Sequence, residues 1–191
     1  MVLNDLNGKL LLATPSLQEH QFKDSVILLC HHDEEGSMGL IINRPQEITI
    51  RDVLEDIQLS PNEDVLKTFP EHRLLSYEGG PMDSFRGFVL HDGWHMYEST
   101  MQITPELHLT TSRDVLEELA QGLGPEHFML ILGYAGWDAG QLEQELMDNS
   151  WLIVGSSQHL VFETEPEHRW ALGAQSMGIS KSHLSSQIGH A

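Results

Sequence analysis

The chain has 191 residues, a length that fits one domain and can bury most of its apolar surface without a disulfide or a metal. With 40% hydrophobic and 20% charged residues it is neither a disordered nor a fibrous chain, and a single cysteine, Cys30, rules out an intramolecular disulfide and fits a reducing compartment. Asp and Glu number 29 against 10 Lys and Arg, a formal net charge of −19, which opposes the phosphate contacts that supply most nucleic-acid affinity.

In chain order, the first strand is predicted over 9–13 and ends at Thr14-Pro15, where proline interrupts ladder pairing. Residues 25–32 and 38–43 follow as a hairpin through Asp33-Glu34-Glu35-Gly36. Val26, Leu28 and Cys30 alternate with Ile27 and Leu29, so both faces are apolar and the pair belongs at the centre of a covered sheet. Arg44-Pro45 is expected to stop it. Apolar residues at 50, 53, 54 and 57 have helical spacing, opened by a Thr49-x-x-Asp52 capping box. Residues 58–73 read as a mostly irregular connection around a weak helical patch. Strands are predicted over 74–77 and 86–91, joined through Gly79-Gly80-Pro81, and shorter ones over 96–100 and 107–110. Thr111-x-x-Asp114 opens a helix through Gln121 that Gly122 closes. Strands over 128–135 and 151–154 and a helix over 166–175, with proline in its first turn, complete the series. Strands and helices mix without strict alternation, which points to an α+β fold. No apolar run exceeds five residues and the N-terminal residues lack a leader pattern, so a cytoplasmic protein with no membrane segment is expected.

Gly133 to Glu143 resembles a phosphate-binding turn, but its glycine spacing matches no such loop and no lysine follows. Asp138-x-x-Gln141 instead reads as a capping box, with Trp137 and Leu142 as its hydrophobic staple. Cys30 and His32, two apart in a strand, would share a face as a Cys–His dyad requires. The acidic turn that follows disfavours a thiolate, so a packed cysteine is the better reading. His91-Asp92-x-x-His95 offers two imidazoles but matches no zinc spacing, and the lone cysteine excludes a cysteine-rich metal site. Ala174-Gln175-Ser176-Met177-Gly178 approaches a nucleophile elbow but follows a helix where a strand is required. From His168 to Ala191 there is no acidic side chain, and Arg169 and Lys181 are its only basic ones. It reads as a tail lying on the acidic body.

Several segments together carry a family resemblance: Gly8-Lys9-Leu10-Leu11, Phe22-Lys23-Asp24-Ser25, Cys30-His31-His32, Asn43-Arg44-Pro45, Glu78-Gly79-Gly80-Pro81, Arg86-Gly87-Phe88, Thr110-Thr111-Ser112-Arg113-Asp114 and Asn149-Ser150-Trp151. In these the chain closely resembles the bacterial AlgH/YqgE family, in register from about residue 8 onward. The resemblance implies a single domain over 1–191 with a mixed, largely antiparallel sheet partly folded on itself and flanked by helices. It brings no established reaction, only a role proposed for the family in positive regulation of alginate transcription. Asn43, Arg44, Glu78 and Arg86 are the family-matched polar residues not needed for capping, and they form the candidate binding surface. Cys30, His32, His91 and His95 are weaker candidates.

Two functions follow. The leading one is a non-enzymatic binding or regulatory protein acting through a protein partner, without direct nucleic-acid binding and without a cofactor or metal. The alternative is a small hydrolase, metal-assisted or not, using the turn at Asp33 to Glu35 together with His91 and His95. Nothing in the sequence fixes an oligomeric state.

Overall fold

The early apolar runs form β1 (Leu10–Ala13), β2 (Val26–Asp33) and β3 (Gly36–Ile41) in the computed structural model, which describes residues 6–93 and 95–179. Next come β4 (Pro45–Thr49) and α1 (Ile50–Asp56). The connection read as irregular contains two single-turn helices, α2 (Glu63–Leu66) and α3 (Glu71–Leu74). β5 (Leu75–Glu78), β6 (Met82–His91), β7 (Thr100–Gln102) and β8 (His108–Thr110) precede α4 (Asp114–Gln121). The chain then forms β9 (Phe128–Asp138), α5 (Gln141–Met147), β10 (Trp151–Val154) and α6 (Pro166–Gln175).

Four local expectations change. Pro45 opens a strand where it was expected only to end one: β4 pairs with β5 alone, and an edge strand tolerates a residue with no N–H. The strand expected over 96–100 lies at 100–102, because the Thr100 hydroxyl accepts the Tyr97 N–H at 2.8 Å and closes a turn before the extended segment. Thr111 does not cap α4. Its N–H continues the ladder to the Ser99 carbonyl at 3.1 Å, and the helix begins at Asp114. Asp138 does not cap α5 either. It is the last residue of β9, paired with Gly36, and Gly140 holds the N-cap position at φ 78°. Only the returning half of that box exists, the Gln141 side-chain oxygen accepting the Asp138 N–H at 3.0 Å. The Thr49–Asp52 box before α1 is complete in both directions.

The sheet runs β10-β1-β2-β3-β9-β6-β8-β7. β9 is its spine. Its C-terminal part pairs antiparallel with β3, its N-terminal part pairs parallel with β5, and β6 lies antiparallel along its other edge. The result is a mixed, largely antiparallel sheet curled into a half-barrel with flanking helices, an α+β domain.

Alternation sorts the side chains onto two faces. The inner face gathers Leu10, Leu28, Leu90, Leu109 and Ile131 from both ends of the sheet, and the π-helical turn His159–Glu163 and Trp170 of α6 pack into the same cluster. On the outer face, one cluster holds Ile27, Leu29, Trp137, Leu142 and Trp151, and another holds Leu54, Val89, Val115, Leu119 and Leu130. Glu145 of α5 anchors the first of these outer clusters. One carboxylate oxygen accepts the indole N–H of both Trp137 (2.9 Å) and Trp151 (2.7 Å), while Gln141 donates to the other at 2.9 Å.

Arg169, counted from sequence as a cation of the acid-free tail, is fully buried. It donates to the carbonyls of Thr164 (3.0 Å) and Ile42, and its guanidinium lies 5.4 Å from the Tyr77 ring centroid. Burial lowers its pKa from the ordinary arginine value. Lys181, the other cation of that tail, lies outside the described residues. No helix among the described residues is long and apolar enough to cross a membrane.

Candidate functional site

The polar residues singled out from sequence separate into two places. Asn43 follows β3 and is spent on the backbone. Its side-chain oxygen accepts the Val26 N–H at 2.8 Å and its amide donates to the Asp24 carbonyl at 3.0 Å, holding Asp24 at a positive φ of 58°. Arg44 donates to the carbonyls of Gln21 (2.6 Å) and Lys23 (3.1 Å), and its guanidinium stands 4.0 Å from the Glu78 carboxylate. Asn43 and Arg44 therefore sit just before β4, beside Glu78 at the end of β5, and the backbone engages the Asn43 amide and the Arg44 guanidinium, while the Glu78 carboxylate has the Arg44 contact alone among the described residues. Arg86 lies apart from them on the inner face of β6.

Cys30 is buried in the inner cluster, with its thiol pushed well above the usual range by burial. The expected shared face with His32 does not exist. The ladder between β2 and β3 shifts register between Leu29 and His31, and a bulge there reverses the alternation. His32 stands opposite Ser37, which it meets at 2.7 Å, and 3.6 Å from Glu143 of α5 on the outer face.

His91 is fully buried. One ring nitrogen meets the Thr110 hydroxyl at 2.8 Å and the other the Asp92 carbonyl at 2.9 Å, and burial holds its pKa below the ordinary 6.5. His95 is exposed, tilted against the Tyr97 ring with centroids 6.0 Å apart. The acidic turn and the histidines of the hydrolase reading lie at opposite ends of the spine strand: Gly36 pairs with Asp138, whereas His91 pairs with Phe128. Ten residues at roughly 3.3 Å each put about 30 Å of strand between them, so the two segments do not form one site. Among the described residues no group of three His, Cys, Asp or Glu side chains could hold a metal ion.

The surface feature that the sequence did not reveal is a cleft of about 600 Å³ on the outer face. Gly87 and Val89 of β6 with Leu130 and Leu132 of β9 form its floor, Val53 and Ile57 of α1 one wall, and Leu116 and Arg113 of α4's first turn another. Asp52 and Asp56 line it as well. Between Met82 and Gly87, β6 advances five residues while β9 advances two, from Tyr134 to Leu132. The surplus chain swings out and carries Phe85 to the edge of the cleft, where it is 95% exposed. Asp83, at φ 47°, starts this excursion. A bulge of this kind arises from cross-strand geometry and has no marker within its own residues; the outward phenylalanine among Asp83, Ser84 and Arg86 is the one signal that could have been read.

The chain matches the family described as AlgH-like over residues 10–182. It is 41% identical over 189 residues to a UPF0301 protein of Pseudoalteromonas translucida, covering 99% of this chain and 100% of that one. A UPF0301 protein of Shewanella woodyi is 43% identical with the same coverage. Among solved structures, it is similar to the solution structure of the AlgH protein from Pseudomonas aeruginosa, with a TM-score of 0.77 and 39% identity, covering 100% of this chain and 98% of that one. A crystal structure of a Corynebacterium diphtheriae protein gives a TM-score of 0.71 at 17% identity, covering 97% and 99% of the two chains, a likeness of fold alone.

Proposed function

The chain belongs to the AlgH-like family, and from that premise we propose that it is a non-enzymatic binding protein that works through contact with a protein partner. The observation that carries this reading is Phe85, 95% exposed beside an apolar cleft. Removing such a ring from water is worth roughly 1.5–3 kcal/mol, and an aromatic anchor next to a pocket is the usual composition of an interface hot spot. Ile48, 43% exposed on the same cleft, extends the apolar surface. Charge selects the partner. With Asp52 and Asp56 lining the cleft and a net charge of −19 over the whole chain, the complementary surface carries apolar side chains ringed by lysine or arginine.

Regulation of transcription, the role the family resemblance implies, would then run through that partner. The net charge and the burial of Arg169 both argue against direct grip on DNA. A cytoplasmic setting belongs to the same reading, supported by the single free cysteine.

The test compares wild type, Phe85→Ser and Leu123→Ser as baits at low and moderate salt. Leu123 is a 69% exposed apolar residue outside the cleft. A protein held by wild type and Leu123→Ser, lost from Phe85→Ser and released as salt rises supports the reading. A partner held equally by all three, or none that distinguishes wild type from Phe85→Ser, overturns it.

A further inference from the structure

The opposite, inner face of β6 opens on a second cavity of about 420 Å³, lined by Met38, Phe88, Met101, Leu109 and Tyr134 with Arg86, Ser99 and Thr111. We infer that this cavity binds a small amphipathic carboxylate, its acid group on the Arg86 guanidinium and its apolar body against Met38, Phe88, Met101 and Leu109.

Arg86 is the first reason. Its guanidinium carbon lies 5.3 Å from the Phe88 ring centroid and 5.9 Å from that of Tyr134. Among the described residues the other five arginines, Arg44, Arg51, Arg73, Arg113 and Arg169, each donate to a protein oxygen. Arg86 makes ring contacts only. In a chain with 29 acidic residues and 10 basic ones, a guanidinium has carboxylates in excess to choose from. This one is held away from them by two aromatic faces. A ring face attracts the charge without occupying the N–H donors as a carbonyl or carboxylate oxygen would, so the fork of donors remains available to a planar acceptor. A carboxylate matches that fork with two parallel hydrogen bonds.

The cavity is the second reason. Its volume lies within the ~300–1,000 Å³ typical of small-molecule sites, and its lining is mostly apolar with a few polar groups, the composition such sites share. Ser99, Thr111 and Tyr134 line it too, and none of their hydroxyls hydrogen-bonds another protein group among the described residues. One cation with neutral hydroxyls suits a monoanion. A phosphate would bring a second negative charge with no second cation to meet it, into a molecule already at −19. The inference does not depend on the partner cleft, which opens on the other face of β6 and shares Thr111 alone with this cavity.

The experiment follows methionine methyl resonances of the full chain, labelled at its methionines, during titration with octanoate. Octanol and acetate serve as the apolar-only and acid-only probes. Octanoate is expected to shift the Met38 and Met101 methyls saturably, and octanol and acetate to bind at least about tenfold more weakly, the difference one charge-assisted pair supplies. Arg86→Gln should weaken octanoate by a similar factor with the melting temperature unchanged, Arg86→Lys should be intermediate, and Phe85→Ser should bind as wild type does. Met101→Glu, which places a like charge in the cavity, should abolish binding even if the Arg86 variants fold poorly. Octanoate binding that Arg86→Gln leaves intact, saturable shifts confined to the outer cleft, or no saturable shift at millimolar octanoate would overturn the inference.

Discussion

Removing the Glu145 carboxylate tests whether one half-buried acid holds the α5 side of the molecule together. In the folded protein its oxygen is the acceptor for two indole N–H groups whose rings, Trp137 and Trp151, are 6% and 4% exposed. Glu145→Ala leaves both donors without a protein partner. An unmet buried donor costs about 1–3 kcal/mol, so two cost about 2–6, and access of water to this half-buried position brings the expectation to about 2–4 kcal/mol. For a chain of this length each kcal/mol moves the melting temperature by roughly 2–4 °C, which gives a drop of about 4–16 °C. Glu145→Gln keeps an acceptor oxygen in place and should lose less than half as much. Urea unfolding followed by tryptophan fluorescence gives the free energy, and near-UV circular dichroism reports the T-shaped Trp137–Trp151 pair, centroids 6.1 Å apart. A Glu145→Ala protein within about 0.5 kcal/mol of wild type, the range of an ordinary surface change, would show that the two indole bonds carry no weight.

Gly79→Ala should destabilise by about 1–3 kcal/mol or more, because its new methyl would land on the Gly133 carbonyl oxygen and the Ile131 side chain with backbone on one side unable to retreat. Gly155→Ala, where a methyl meets nothing within 4 Å, should stay within about 0.5 kcal/mol in the same denaturation assay. Burial depresses the pKa of His91 below 6.5, so as pH falls below 6.5 the unfolded chain takes up a proton that the folded chain still refuses. The contribution is therefore full above pH 6.5 and is lost as pH falls toward the folded-state value. The His91 ring resonance should titrate with a midpoint below 6.5, and a midpoint at or above 6.5 would contradict its burial.

The hairpin of β2 and β3 could be read because its apolar residues alternate with period two, and α1 because Thr49 and Asp52 are a local signal acting over three residues. What escaped the sequence depends on partners distant along the chain. The bulge that parts Cys30 from His32 is a mismatch with β3, invisible within the strand that bears it. Pro45 looked like a terminator because its tolerance at an edge depends on where β4 sits in the finished sheet. Asp138 satisfied a capping pattern, yet pairing with Gly36 keeps it in β9 and moves the helix start to Gly140. The polar candidates fared similarly: residue type and family match selected Arg44 and Arg86 alike, but only the packing shows Arg44 spent on carbonyls and Arg86 resting on rings.

The spine position of β9 has a consequence for synthesis. β3 is complete at Ile41, but the stretch of β9 that covers its outer edge ends at Asp138, 138 − 41 = 97 residues later. At roughly 5–20 residues per second, a ribosome leaves that edge open for about 5–19 s. Over that interval β1 to β3 form an apolar ribbon with an unpaired border, which is the kind of surface that templates pairing with a neighbouring nascent chain. The cluster Asp33-Glu34-Glu35 stands at the tip of this ribbon, next to the waiting border, and charges flanking a hydrophobic strand repel a second copy of themselves. In the finished protein Asp33 also holds the turn, accepting the Glu35 N–H at 2.8 Å and meeting the His31 ring at 2.8 Å. During translation the three acids should disfavour pairing of that border with a second copy until β9 arrives.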